Sequence, residues 1–249
     1  MAFGSILDWG AESITASLFV PVIPADKQIG QWFQAAFQEQ STQINESVHA
    51  HGRVGHAAST GKILTKVAVL QPGRIELQVQ GVEKIQSNAE PPVIQDITGA
   101  IDEVVAAAKR LVPEFDEISR LAVNCRLVKH EHSLIEANKK IVAVVPFKIN
   151  LESESDFVFQ INSVAKVSGF SMNRLIKWSV ENIQLFAGNP FGPGFTSQQM
   201  LTQFFSAFAH LDFNTVASHL MLERSQVPDM LDALGSEVVR VRKNSLRFR

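Results

Sequence analysis

Through residues 13–128 the spacing of apolar residues switches between a period of two and a period near 3.6, and the order of these switches constrains the fold. Ile14, Ala16, Leu18, Val20 and Val22 alternate with Thr15, Ser17 and Phe19 until Pro24, the pattern of a strand with one buried face. Asp26 stands as the N-cap of a helix in which Ile29, Trp32, Phe33, Ala36 and Phe37 form one apolar stripe ending near Gln40. Residues 41–61 are polar and read as a loop with a short strand around Val48 to Val54. Ile63, Thr65, Val67 and Val69 predict the next strand, Gln71-Pro72-Gly73 a turn, and Ile75, Leu77 and Val79 its hairpin partner, alternating with Arg74, Glu76, Gln78 and Gln80. Such alternation requires an antiparallel sheet with one wet face. Ile97, Ile101, Val104, Val105, Ala108 and Leu111 mark a second helix closed by Pro113. Leu121, Val123, Cys125 and Leu127 mark a strand whose other face carries Arg120, Asn124 and Arg126. The order is β-α-β-β-α-β, that of the split βαβ or ferredoxin-like unit.

The remainder is less regular. Leu134 and Ile135 suit a short helix, and Ile141 to Ile149 suits a strand interrupted by Pro146. Phe157, Phe159 and Ile161 predict a strand, Ser168-Gly169 a turn, and Met172, Ile176, Trp178 and Val180 a strand with a bulge at Glu181-Asn182. A Gly/Pro loop, Gly188 to Gly194, precedes a helix capped by Thr196 or Ser197 and carrying Met200, Leu201, Phe204 and Phe205. Ala209, Leu211 and Phe213 predict a last strand. Met230, Leu231, Leu234, Val238 and Val241 predict a terminal helix that Gly235 weakens. The expectation is an α+β protein of one or two ferredoxin-like units, with mainly antiparallel sheet and helices on one face. Residues 1–130 form the βαββαβ unit, and residues 131–249 a second, ββαβα unit that continues it.

Composition excludes several classes. Across 249 residues, 45% hydrophobic and 19% charged side chains describe a chain with enough apolar matter for a sizeable core. A net charge of −2 leaves no global attraction to phosphate backbones or anionic membranes. The first twelve residues carry Asp8 and Glu12 and no basic region, so a secretory signal is not expected, nor is any run long enough to span a bilayer. A single Cys125, in apolar register, excludes an internal disulfide and a cysteine-based zinc site and reads as a small buried hydrophobe in a reducing cytoplasm. Seventeen Phe and no Tyr disfavour an aromatic recognition platform.

Three groups of residues are candidates for chemistry. His49, His51 and His56 lie in one polar segment, and His130 and His132 in another. An i, i+2 pair on a strand projects to one face, so His49, His51, His130 and His132 would offer four nitrogens to a metal if the segments met, and any of them could serve acid–base catalysis. No HExxH motif accompanies them. Phosphate-binding loops are absent, because the Gly188 to Gly194 segment contains prolines that lack amide donors. Arg240, Arg242, Lys243, Arg247 and Arg249 crowd the last ten residues and form a basic arm for nucleic acid or an acidic partner, or a solvated helix end. Arg120, Asn124, Arg126, Arg174 and Lys177 extend that patch across the sheet, while Trp178 falls in the buried register.

Nothing in the sequence calls for a cofactor. The reading that follows is a non-catalytic subunit binding a protein partner, or itself as a homo-oligomer, through an exposed sheet face or edge. The alternatives are a nucleic-acid-binding or RNA-processing protein and a histidine-dependent metalloenzyme.

Overall fold

The computed structural model describes residues 3–50, 52–82, 91–148, 150–151, 157–187, 199–217 and 220–244. The strands are β1 (Gly10–Phe19), β2 (Gln43–His49), β3 (Gly52–Thr60), β4 (Leu64–Gln71), β5 (Arg74–Gly81), β6 (Arg120–Glu131), β7 (Val158–Val167), β8 (Phe170–Ala187) and β9 (Gln199–Thr215). The helices are α1 (Ile29–Phe37), α2 (Ile97–Leu111), α3 (Leu134–Val144) and α4 (Val227–Asn244). All nine strands join one open antiparallel sheet in the order β2-β3-β4-β5-β1-β6-β9-β8-β7. The α+β class is therefore as expected. Among the described residues, no helix is long and apolar enough to cross a membrane.

The chain runs twice through one plan. A central strand leads to a helix, then to a meander whose last strand returns beside the first, then to a second helix. The first pass is β1-α1-(β2 to β5)-α2, and the second is β6-α3-(β7 to β9)-α4. β1 and β6 pair antiparallel at the middle, from Gly10↔Val128 to Phe19↔Arg120. The passes differ by one strand, because β2 covers the outer edge of β3 while β7, which holds the corresponding place, is the last strand of its side.

The core forms where the helices cover one side of the sheet. Ile14, Ala16 and Leu18 of β1, Ile75, Leu77 and Val79 of β5, Leu121, Val123 and Cys125 of β6, and Leu211 and Phe213 of β9 all point there. α2 and α4 lie over this centre, meeting across Gly235; a Cβ added there would stand 3.0 Å from Val105 and 3.1 Å from Ile101. Glycine in α4 thus sacrifices helix propensity to let two helices approach. Cys125 is buried, and that burial pushes its thiol up to about 12, against the opposing effect of Arg242. Trp178 is buried too, stacked on Phe3 with ring centroids 4.9 Å apart.

Several sequence expectations are corrected. The polar stretch 41–61 is a complete hairpin, β2–β3, so four strands rather than two separate α1 from α2. β2 has almost no buried side chain, which erases the periodicity that identifies strands. In β4 the residues facing the helices are Ala68 and Leu70, so Val67 and Val69 turn to the other side, and Ile63 precedes the strand exposed. Asp26 does not cap α1. Gln28 does, its N–H donating to Gln31 Oε1 at 2.8 Å, while Ile29 N–H donates to Glu46 Oε2 at 2.9 Å from across β2. Ile141 to Val144 finish a helix rather than begin a strand: Ala137, Ile141 and Val144 form its buried stripe, and the chain turns extended before Pro146. The helix expected after Ser197 is instead strand β9. Its Phe205, Ala207, Ala209, Leu211 and Phe213 alternate without interruption, and pairing on both sides outweighs the helical spacing of Met200 and Phe204. The register of β8 runs unbroken through Glu181 and Asn182, and shifts instead between Leu185 and Phe186. The second half thus runs αβββα after β6, not ββαβα. The Gly188 to Gly194 loop lies outside the described residues.

Two substitutions at the α2–α4 crossing separate space from propensity. Gly235→Val is expected to destabilise by about 1–3 kcal/mol through overpacking. Gly235→Ala should fall near neutral, because a gain of about 1 kcal/mol in helix propensity offsets its tighter fit. Chemical denaturation of both variants checks the difference.

Candidate interaction surface

With the helices all on one side, no helix among the described residues lies over the other side of the sheet, and strand register sets the composition of that helix-free, uncovered face. One row across it reads Gln80, Ser13, Arg126, His210, Lys177 and Gln160; the next reads Gln78, Thr15, Asn124, Asp212, Leu175 and Asn162. A third reads Glu76, Ser17, Ala122, Asn214, Asn173 and Val164. Amides and hydroxyls predominate in these rows, but the face is not wet throughout: Ser17, Ala122 and Asn214 are buried, as are Val128 and Phe208 in the row beyond Arg126.

Arg126 organises the middle of this face. Its guanidinium meets Glu12 at 2.8 Å and Glu181 at 2.7 Å, and lies 4.1 Å from the centroid of the Phe208 ring. Ser179 donates to Glu181 at 3.0 Å, and Asn214 to Asp212 at 2.9 Å. Arg126 is therefore shared between two carboxylates, which leaves little positive field for an anion. His210 sits between Arg126 and Lys177. Burial lowers its pKa, Asp212 and Glu181 oppose that shift, and the two cations reinforce it. At the end of the face, Arg74 and Arg120 flank the Phe19 ring at 5.6 and 5.2 Å.

The residues singled out from sequence divide between the two sides. Arg120, Asn124, Arg126 and Lys177 share the uncovered face. Arg174 does not. It points to the helices, where its Nη1 donates to Glu237 Oε1 at 3.1 Å. Glu237 is buried in α4 and also accepts 2.6 Å hydrogen bonds from Arg240 Nε and Nη2. Burial opposes its charged form, but Arg240 and Arg174 outweigh it and hold the Glu237 carboxyl below the ordinary carboxylate range. Arg240 is raised in turn by that hydrogen bond. Arg242 donates to the carbonyl oxygens of Leu7 and Trp9, fastening the amino-terminal segment to α4. Two cations of the expected basic arm are thus engaged inside the fold. Lys243 lies in the last turn of α4, and Arg247 and Arg249 lie outside the described residues.

The histidines are not brought together. His49, on edge strand β2, has its Nε2 2.8 Å from Ser47 Oγ, and His51 lies outside the described residues. His130, on β6, has its Nδ1 2.7 Å from Ser206 Oγ, and His130 and His132 both lie against the Phe204 ring. The i, i+2 pair does share a side, but five strand spacings separate β2 from β6, roughly 24 Å. Among the described residues no group of three or more His, Cys, Asp or Glu side chains is placed to hold a metal ion.

Sequence reasoning missed two polar devices. Glu46 accepts from the first amide of α1 and from Arg53 Nε at 2.9 Å, while Arg53 donates to the carbonyl oxygens of Pro24 and Lys27 at 2.8 and 2.6 Å and lies 5.6 Å from the centroid of the Trp32 ring. The partners are up to 29 residues apart and no local spacing announces them. The Arg174–Glu237 pair is separated by 63 residues; the one signal was a charge in the apolar register of each element. On the helix side, a cleft of about 240 Å³ between α2 and α4 is lined by Thr98, Asp102, Asp232 and Ser236.

Compared with known proteins, the chain matches no family model, no curated protein and no solved structure.

Two titrations follow. His210, with its pKa below 6.5, contributes stability at higher pH that is lost as pH falls through its folded value, so its imidazole NMR midpoint should lie below 6.5 and return toward it in the urea-unfolded chain. Glu237, also depressed, stabilises above its ordinary value of 4.5 and loses that contribution on acidification. Glu237→Ala leaves Arg174 without its carboxylate and should cost about 3 kcal/mol at neutral pH, with a flatter acid limb in a pH-dependent melting series.

Proposed function

We propose that this protein is a non-catalytic interaction or assembly subunit, docking protein through the uncovered side of its sheet and the free edges of that sheet. The single observation that supports this most is the one-sided placement of the helices: all four lie on one face, while the other presents rows rich in Gln, Asn, Ser and Thr across the six strands from β5 to β7. Such a face is adapted to polar, water-tolerant contact rather than to a reacting centre. The carboxylates that hold Arg126 argue against a role in gathering phosphate, and the basic arm has Arg240 and Arg242 tied to the fold. We also read each pass as an elaborated ferredoxin-like unit. The run β6-β1-β5-β4 follows the strand order of a split βαβ unit, with the β2–β3 hairpin added outside it. A lone buried cysteine suits a reducing cytoplasm, where we place the protein.

Affinity capture from cells of the source organism tests this, with the double variant Gln78→Arg/Lys177→Glu as comparison. The wild-type chain should retain a protein in fixed stoichiometry that the variant loses, with the variant's circular dichroism and melting unchanged. Equal retention by the two, no retained protein, or retained nucleic acid in place of protein would overturn the reading.

A further inference from the structure

We propose that β7 is a self-pairing edge, through which two copies of this chain join their sheets antiparallel about a two-fold axis at Ile161. The proposal rests on the reading of the chain as an assembly subunit and names the partner at one of its edges. Four observations carry it.

The first is internal. The two passes place β3 and β7 in corresponding positions, each the third strand out from the central pair along its own meander. In the first pass the outer edge of β3 is occupied by an antiparallel strand, β2, in continuous register from Gln43↔Ala58 to His49↔Gly52. Among the described residues nothing pairs with the outer edge of β7. The same architecture thus shows, in one half, what fills the position that is open in the other.

The second is the orientation of the backbone. β7 and β8 are joined by Ser168 and Gly169, both at positive φ (49° and 87°), the two-residue turn of a tight hairpin. Val167↔Phe170 closes it, so the odd-numbered residues of β7 direct their N–H and C=O toward β8, as Val180 N–H donating to Phe157 O at 3.2 Å confirms at the far end. Val158, Gln160, Asn162, Val164 and Lys166 therefore aim theirs outward. An axis at Ile161 sets Val158 opposite Val164 of the second copy and Gln160 opposite Asn162. Every outward group meets another outward group, giving about eight backbone hydrogen bonds, within the range of a standard interface.

The third is the fit of side chains. On the uncovered face the pairs are valine with valine and amide with amide, and Val158 and Val164 are 61% and 65% exposed in the single chain. On the helix side the pairs are Phe157 with Ala165 and Phe159 with Ser163, large against small, with Ile161 meeting its own mate.

The fourth is charge. Phe157 to Ala165 carries none, and no proline or glycine interrupts it, so the paired segment lacks the devices that protect natural edges, and the one lysine of the strand, Lys166, stands beyond it near the turn. The opposite edge differs. An axis at the middle of β2 would set Glu46 against Glu46, with like charges directly opposed, and that carboxylate already caps α1.

Light scattering after size exclusion, from 5 to 500 µM, should show a dimer for the full chain. Asn162→Pro removes an outward N–H while leaving the β8 ladder intact, and should raise the dimer dissociation constant at least tenfold with unchanged circular dichroism. Ile161→Cys should give a disulfide-linked dimer on mild oxidation, while Val164→Cys alone should not. A wild-type chain that stays monomeric throughout, or a dimer that survives Asn162→Pro and gives no Ile161→Cys cross-link, overturns the proposal. If Asn162→Pro does not fold, Val164→Lys and the cross-link decide. A monomer that still captures a protein by its uncovered face would leave the broader reading standing while removing this one.

Discussion

The antiparallel pairing of β1 with β6 is the contact on which the rest of the structure depends. It joins two separately wound meanders into one sheet, and beneath it Ile14, Leu18, Val123 and Cys125 form the floor on which α2 and α4 cross. Breaking that ladder would leave each half with one bare central edge and half a core. Gly235 belongs to the same constraint, since two helices can lie over one central pair only if they approach closely. The polarity of the opposite face follows. Once every helix is committed to one side, side chains of the alternate register have only one another, water or another molecule to meet, and Phe208 is buried beneath Arg126 in that way.

Polar groups in the interior are used to fasten elements rather than to react. Glu46 fixes the start of α1 from a neighbouring strand, Arg110 donates from α2 to the Ala36 carbonyl at 2.7 Å, and Glu237 draws Arg174 and Arg240 onto α4. All but the Arg240–Glu237 bond, which lies within α4, cross between elements. The same logic makes Arg240 and Arg242, two cations of the most basic stretch of the sequence, into structural fasteners.

What could be read from the sequence was whatever local periodicity records. The stripes Ile29 to Phe37 and Ile97 to Leu111 and the alternation of Ile75 to Val79 each announce an element and its buried face, and each is present. The failures have a common cause. β2 is exposed on nearly every residue and so carries no alternation, β9 contains Phe-Phe at a spacing that also suits a helix, and α3 hides its stripe among residues equally at home in a strand. In each case neighbours distant in sequence made the decision. The candidate surface was legible as a wet face on one hairpin. Its extension over six strands was not, because Arg126, His210 and Lys177 become neighbours only through pairings that span up to about 85 residues.

The position of β1 has a consequence for synthesis. Both of its neighbours leave the ribosome after it: β5 some 55 residues later and β6 roughly 100. Its apolar face has no completed core until α2 has also been made. A nascent chain of this topology holds Ile14, Ala16 and Leu18 without their core until α2 has emerged, leaving apolar surface open to non-native contact during synthesis.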